Sequence, residues 1–226
     1  MISEMLQKLW QNGILQTGIW ETIYMTVLST VFSYIIGLPL GLLLSVTDKG
    51  GIHPIGWLNR IVGIIVNAFR SIPFIILMVA MLPVAKLVVG SSLGNRAMIV
   101  TLVIAAAPYV ARMVESSVKE VDSGVIEAAR AMGTSSFKII IKVLIPEAKP
   151  SLIIGSVISM VTILGYSAMA GTIGGGGLGQ IAITYGYQKY QDDIVWICVV
   201  LTIIIVQVIQ EVGTFIARKT DKRIHK

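Results

Sequence analysis

Apolar residues occupy this chain in long blocks, with the polar residues gathered between them. Thr22 to Val46 is a run of 25 residues without a charge. Ile61 to Ala85 is a second run of 25, interrupted only by Arg70 and carrying Pro73 and Pro83. Ala97 to Ala111 is a shorter run of 15. Pro150 to Gln188 holds 39 uncharged residues, too many for one simple helix. Its middle, Gly171–Thr172–Ile173–Gly174–Gly175–Gly176–Gly177–Leu178–Gly179, would cost a helix about 1 kcal/mol per glycine. The run therefore divides into a helix over about 150–170, a glycine-rich break, and a short helix or loop over 180–189 near the outer surface. Ile194 to Gln210 opens the last block, which continues past Glu211 to about Ala217. A helix crossing hydrocarbon needs about 20 apolar residues. The pattern thus predicts an all-α membrane protein with five spans, at about 22–46, 61–85, 95–113, 150–170 and 194–217. These make a transmembrane domain over 22–217, between an external N-terminal segment (1–21) and a basic tail (218–226).

Composition removes the soluble alternatives. Of 226 residues, 55% are hydrophobic and 13% charged, about half the charged fraction of an ordinary soluble domain. Disorder needs the opposite balance. The net charge of +6 could suggest nucleic acid, but the basic residues lie in loops and the tail, where membrane orientation explains them. The segments assigned to the cytoplasm hold 13 Lys and Arg, the external ones 4. Arg218, Lys219, Lys222, Arg223 and Lys226 against Asp221 place the C-terminus in the cytoplasm. An odd number of spans then puts the N-terminus outside. Cys198 is the sole cysteine, which excludes an internal disulfide or a multi-cysteine metal site, and His53 and His225 stand 172 residues apart. No cleavable signal is expected, because Glu4, Lys8 and Glu21 precede a run long enough to span and stay.

Residues 112–149 are too long for a turn and too patterned for a slack loop. Asp122 or Ser123 suits a helix N-cap, and Gly133 suits the left-handed position after its end. Between them Val125, Ala128, Ala129 and Met132 form a stripe at helical spacing, with Glu127 and Arg130 beside it. A second helix is expected from Thr134 or Ser135 to Leu144, with Phe137, Ile140, Ile141 and Leu144 on one side and Lys138 and Lys142 on the other. Pro146 and Pro150 then punctuate the entry to the fourth span. Pattern alone leaves two ordinary explanations open: packing beneath the bundle, or lying in the lipid interface.

The order of residues adds a third. Glu127–Ala128–Ala129, three residues, Gly133, nine residues, Val143, one residue, Ile145, Pro146 resembles the cytoplasmic signature of ATP-driven (ABC) importer permeases. Only Val143 and Ile145 depart from that family's Ile and Leu. A closer resemblance, over roughly residues 15–215, is to the five-span permeases of the methionine uptake branch. It is carried by Arg70–Ser71–Ile72–Pro73–Phe74, Ala105–Ala106–Ala107–Pro108–Tyr109, Gly165–Tyr166–Ser167–Ala168–Met169–Ala170–Gly171 and the glycine string 174–179. The resemblance implies a coupling segment over 122–146 seated in a cleft of a separate ATPase, with Glu127, Ala128, Ala129, Arg130, Gly133 and Pro146 at the contact. It also implies a homodimer in the bacterial plasma membrane, two cytoplasmic ATPase subunits carrying the ATP and magnesium, and an external, lipid-anchored methionine-binding protein. Methionine, in L- and D-forms, would be carried inward by alternating access. The alternatives are an importer for another small amino acid or a short peptide, and, in a different class, a stand-alone secondary transporter.

The remaining candidates are weighed against plainer roles. Arg70 is the sole basic residue inside the apolar runs counted above, where a charge costs about 2.5–3.5 kcal/mol or more. It either binds carbonyls freed near Pro73 or faces the pathway with Ser71 and Pro73. Glu211 lies near the end of the last span, where pairing with Arg218 or another neighbour explains it. The glycine run lacks the Gly-Lys-Ser/Thr of a phosphate loop, since Gln180 and Ile181 follow. The chain is therefore expected to have no ATP site and no catalytic or metal residues. Met169, flanked by Ala168, Ala170 and Gly171, is the expected gate, with Tyr166 and Ser167 on the same path. Met160, like most apolar methionines, reads as packing.

Overall fold

The computed structural model describes residues 7 and 9–220; Glu4, Lys8 and the tail from Asp221 on, His225 included, lie outside the described residues. Among those described, regular structure is helical throughout. We number the helices α1 (Ile14–Thr47), α2 (Gly56–Ser71), α3 (Phe74–Ala80), α4 (Leu82–Val89), α5 (Asn95–Lys119) and α6 (Ser123–Ala131). Then come α7 (Ser136–Ile173), α8 (Leu178–Ile181) and α9 (Asp192–Thr220). Helices α1, α5, α7 and α9 are each long and apolar enough to cross a membrane, and a fifth crossing is available if α2 and α3 count as one broken span.

Three boundaries differ from the sequence expectation. Helix α1 begins at Ile14, well before Thr22, because Glu21 is tolerated within it. The second apolar block is not one helix: α2 stops at Ser71, and α3 restarts after Pro73, whose φ of −54° and ψ of 132° are extended. A proline pushes the residue before it away from helical geometry, so Ile72 is where the chain breaks. In contrast, Pro146 and Pro150 do not punctuate α7. The helix starts after Ser135, widens through a π turn at Ile140–Leu144 and runs on through both prolines to Ala170. The predicted second cytoplasmic helix and the fourth span are thus one helix. A π turn changes the backbone bonding pattern just ahead of Pro146, which has no N–H to offer.

The chain packs as two units. The first comprises the described residues up to Phe32, with Ile72–Ala106 and Met160–Ile209. One core gathers Met25, Met78, Met98, Leu102 and Ala170; another gathers Leu15, Leu178, Ile181, Ile194 and Cys198. The second unit comprises Ser33–Ser71, Ala107–Ser159 and the residues from Gln210 on. Its core joins Ile52, Val110, Val114, Val118, Ala129, Ile139 and Leu144. Helices α1 and α5 approach closely there because Gly37 and Gly41 stand one turn apart. A Cβ on Gly37 would lie 2.6 Å from a Val110 methyl, and one on Gly41 2.6 Å from the Val114 Cβ. Small residues at this spacing let membrane helices meet backbone to backbone.

Candidate coupling and pathway sites

Helix α6 is closed at both ends by its own residues. The Asp122 carboxylate accepts from the Gly124 N–H at 2.6 Å, satisfying an otherwise orphaned donor. At the other end Gly133 takes φ +74°, its N–H donating to the Arg130 carbonyl at 2.8 Å while Thr134 N–H donates to Ala129 at 3.1 Å. This pair of bonds is the Schellman arrangement, which asks for a glycine at that place. The expected stripe divides: Ala129 is buried, whereas Val125, Ala128 and Met132 are exposed, as are Glu127, Phe137 and Pro146. Met132, at 78% exposure, and Phe137, at 71%, are large apolar side chains left exposed after α6 and at the start of α7.

Arg130 is bonded within the chain. Its guanidinium donates to the Ile52 carbonyl at 2.5 Å and to Gly51 at 3.3 Å, in the loop after α1. A cleft of about 400 Å³ remains beside this contact, lined by Asp48, Lys119, Ser123, Glu127 and Arg130 among others.

A second set of polar contacts escaped the sequence reading. Glu115, 8% exposed, accepts from Arg112 at 2.5 Å and from Lys119 at 2.9 Å. Lys119 also meets Asp48 at 2.7 Å, and Arg112 donates to the Asn67 side-chain oxygen at 2.9 Å. The Asp48 carboxyl is held below the usual carboxylate range, first by the Lys119 ammonium and next by the Lys49 N–H. Arg112, Glu115 and Lys119 fall at spacings of three and four, a helical signal that the predicted span end at 113 cut through. Nothing in the sequence flagged Asn67.

The glycine string is held by side chains from two helices. Gly176 N–H donates to Asn95 Oδ1 at 2.7 Å, Gly177 N–H to Glu21 Oε2 at 2.8 Å, and Leu178 N–H to Thr22 Oγ1 at 2.9 Å. Gly177 has φ +90°, and a Cβ there would stand 2.7 Å from the Thr22 hydroxyl. Three successive N–H groups that could cradle an anion are therefore already committed within the chain.

The predicted pathway residues belong to different elements. Met169 is 46% exposed on α7, next to exposed Ala168 and buried Ala170. Ser167 is buried and donates to Leu164 O at 2.7 Å. Tyr166 stacks on Phe74, ring centres 3.9 Å apart and planes 8° from parallel. Arg70 and Ser71 end α2, both exposed, with Ser71 Oγ donating back to Asn67 O at 2.8 Å, and Pro73 is exposed ahead of α3.

Against known proteins, residues 37–226 match the family model described as "Binding-protein-dependent transport system inner membrane component". The chain belongs to this family. The permease is 46% identical over 212 residues to the probable D-methionine transport system permease protein MetI of Vibrio cholerae, covering 94% of each chain. It is 44% identical to the methionine import system permease protein MetP of Bacillus subtilis, over 97% of this chain and all of that one. Among solved structures it matches the MetNI methionine ABC transporter in inward-facing conformations, at TM-score 0.91 and 48% identity, covering 92% of this chain and 97% of that one. A crystal structure of an amino acid ABC transporter, at TM-score 0.77 and 18% identity, shares the fold alone.

Proposed function

We propose that this chain is the membrane-spanning permease of an ATP-driven methionine importer. The observation that carries the reading is a likeness over nearly the whole chain to methionine permeases from two distant bacteria, coupled with the capped helix that presents Glu127 and Met132 outward. The chain works as a homodimer with two cytoplasmic ATPase subunits, which hold the ATP and magnesium, and an external, lipid-anchored methionine-binding protein. Its N-terminus lies outside and its C-terminus in the cytoplasm, in keeping with 13 Lys and Arg on one side and 4 on the other. The spans follow the blocks at about 22–46, 61–85, 95–113, 150–170 and 194–217. ATPase closure moves the segment 122–146, through Glu127, Ala128, Ala129, Arg130, Gly133 and Pro146, and the pathway opens outward; hydrolysis returns it inward. Met169 of the two copies closes the path, which Tyr166, Ser167, Arg70, Ser71 and Pro73 line. Both methionine enantiomers are substrates.

The test is to purify the detergent-solubilised chain with whatever ATPase and binding protein accompany it, reconstitute the complex in vesicles and follow radiolabelled methionine. Uptake that requires ATP is expected. A complex that hydrolyses ATP but takes up no methionine, or a chain that recovers no ATPase, defeats the reading.

A further inference from the structure

The loop after α1 is folded into a tight knot. His53 N–H donates to Val46 O at 3.0 Å and Ile55 N–H to Thr47 O at 3.0 Å, so the loop caps the carbonyls that α1 leaves free. Asn59, in the first turn of α2, donates to Leu44 O at 2.7 Å and to Thr47 Oγ1 at 3.1 Å. The end of α1, the loop 48–55 and the start of α2 are therefore cross-bonded. Ile52, 7% exposed, packs from this knot into the cluster containing Ala129, Val118 and Leu144. Two polar links join the knot to other elements. One is Arg130, whose guanidinium reaches the Ile52 and Gly51 carbonyls from α6. The other is Asp48, bonded to Lys119, which with Arg112 holds the buried Glu115 on α5.

Glu127 and Arg130 stand three residues apart on the same short helix and both line the cleft beside the loop. Glu127 is exposed, whereas the Arg130 charge is spent on backbone carbonyls of its own chain. Both bonds leave one guanidinium nitrogen, Nη2, which meets two successive carbonyls of the loop and so ties α6 to it. We infer that the loop 48–55 is the inner half of the coupling element, and that Arg130 is the positioning residue that makes it move with α6. This rests on the reading of α6 as the helix that receives ATPase motion. Displacement of α6 is then delivered to the end of α1 through Arg130, and to α5 through Asp48 and Lys119.

The experiment uses the reconstituted complex of full-length chain, ATPase and binding protein, and reads methionine transported per ATP hydrolysed. Arg130→Ala should assemble with the ATPase and hydrolyse ATP, but the ratio should fall about tenfold, within the usual span of a coupling between sites. Arg130→Lys keeps the charge and one bond and should recover most of the ratio. If Arg130→Ala fails to accumulate, Arg130→Gln, which keeps a shorter donor, takes its place with the same expectation. A ratio within twofold of wild type in the truncated variant overturns the inference. So does loss of ATPase binding in that variant, which would make Arg130 a docking contact instead. Failure of the wild-type complex to transport methionine at all would strike the importer reading, an outcome distinguishable from both.

Discussion

The carboxylate of Glu21 accepts a hydrogen bond at 2.8 Å from the backbone of Gly177, a residue 156 positions further along the chain. An acid that a hydropathy reading assigns to an external tail is thus a structural acceptor within α1. Glu21→Ala leaves a partly buried N–H without its partner, at a cost of about 1–3 kcal/mol. The midpoint of thermal unfolding in detergent should fall accordingly, and Glu21→Gln, which retains an acceptor oxygen, should fall less. Equal midpoints for Glu21→Ala and wild type would contradict the clamp.

The caps of α6 predict a separation of transport from hydrolysis. Gly133 sits at φ +74°, where a β-branched residue is strained by about 1–3 kcal/mol. Gly133→Val should unwind the helix end and Glu127→Ala should remove its anionic contact. Both should lower methionine uptake in vesicles while ATP hydrolysis persists and the chain remains inserted. Wild-type ratios in both variants would remove α6 from the coupling role.

Much of this was legible beforehand, and the exceptions have physical causes. Asp122 holds the N-cap its carboxylate favours and Gly133 the positive-φ position that lacking a Cβ permits, because caps are local chemistry. The continuity of α7 was hidden, because a proline's effect depends on whether the turn before it can change its bonding, as Ile140–Leu144 does. The breaks around Ile72 follow from Pro73, which the apolar count alone passed over. Glu21, Asn67 and Glu115 were missed since a sequence identifies an acceptor or donor but not the distant group it meets. Only the spacing of Arg112, Glu115 and Lys119 offered a clue.

Met169 and Met160 should part company. Met169 is 46% exposed, whereas Met160 borders an apolar groove of about 280 Å³ with Leu164, Ile204 and Val208. If Met169 of the two copies meet at a gate, truncating them removes that apolar contact from the closed state. Met169→Ala should therefore leak small ions or substrate from proteoliposomes without ATP, with normal dimer formation. Met160→Ala should remain tight. Matching leak rates would move the gate elsewhere.

Orientation can be read by thiol labelling on a Cys198→Ser background, the native thiol being buried. Ser92→Cys and Tyr190→Cys should react with a membrane-impermeant reagent in intact cells. Gly50→Cys and Ser135→Cys should react only after permeabilisation. Reaction at position 135 from outside would overturn the span count.

Acid should loosen the tie between Asp48 and Lys119. The folded-state carboxyl of Asp48 is lowered by that ammonium and by the Lys49 N–H. Its contribution is therefore present above the unfolded carboxyl value of about 3.9 and is lost as pH falls through the lower folded value. Both partners are partly exposed, so the contribution is small. The stability difference between wild type and Asp48→Asn should be measurable at neutral pH and should close in strong acid. A difference independent of pH would assign the effect to packing.

The π turn at Ile140–Leu144 acts as an angular setting. Each residue of an α-helix advances the chain by about 100°, and a π turn accommodates one residue more in the same rise. Deleting a single residue there would let the turn close as ordinary α-helix, so Phe137 ahead of it and Ala148 behind it would keep their relative faces. Deleting one residue from the regular stretch beyond it would instead rotate everything ahead by roughly a quarter turn. The π turn is thus a place where the length of α7 can change without changing its phase.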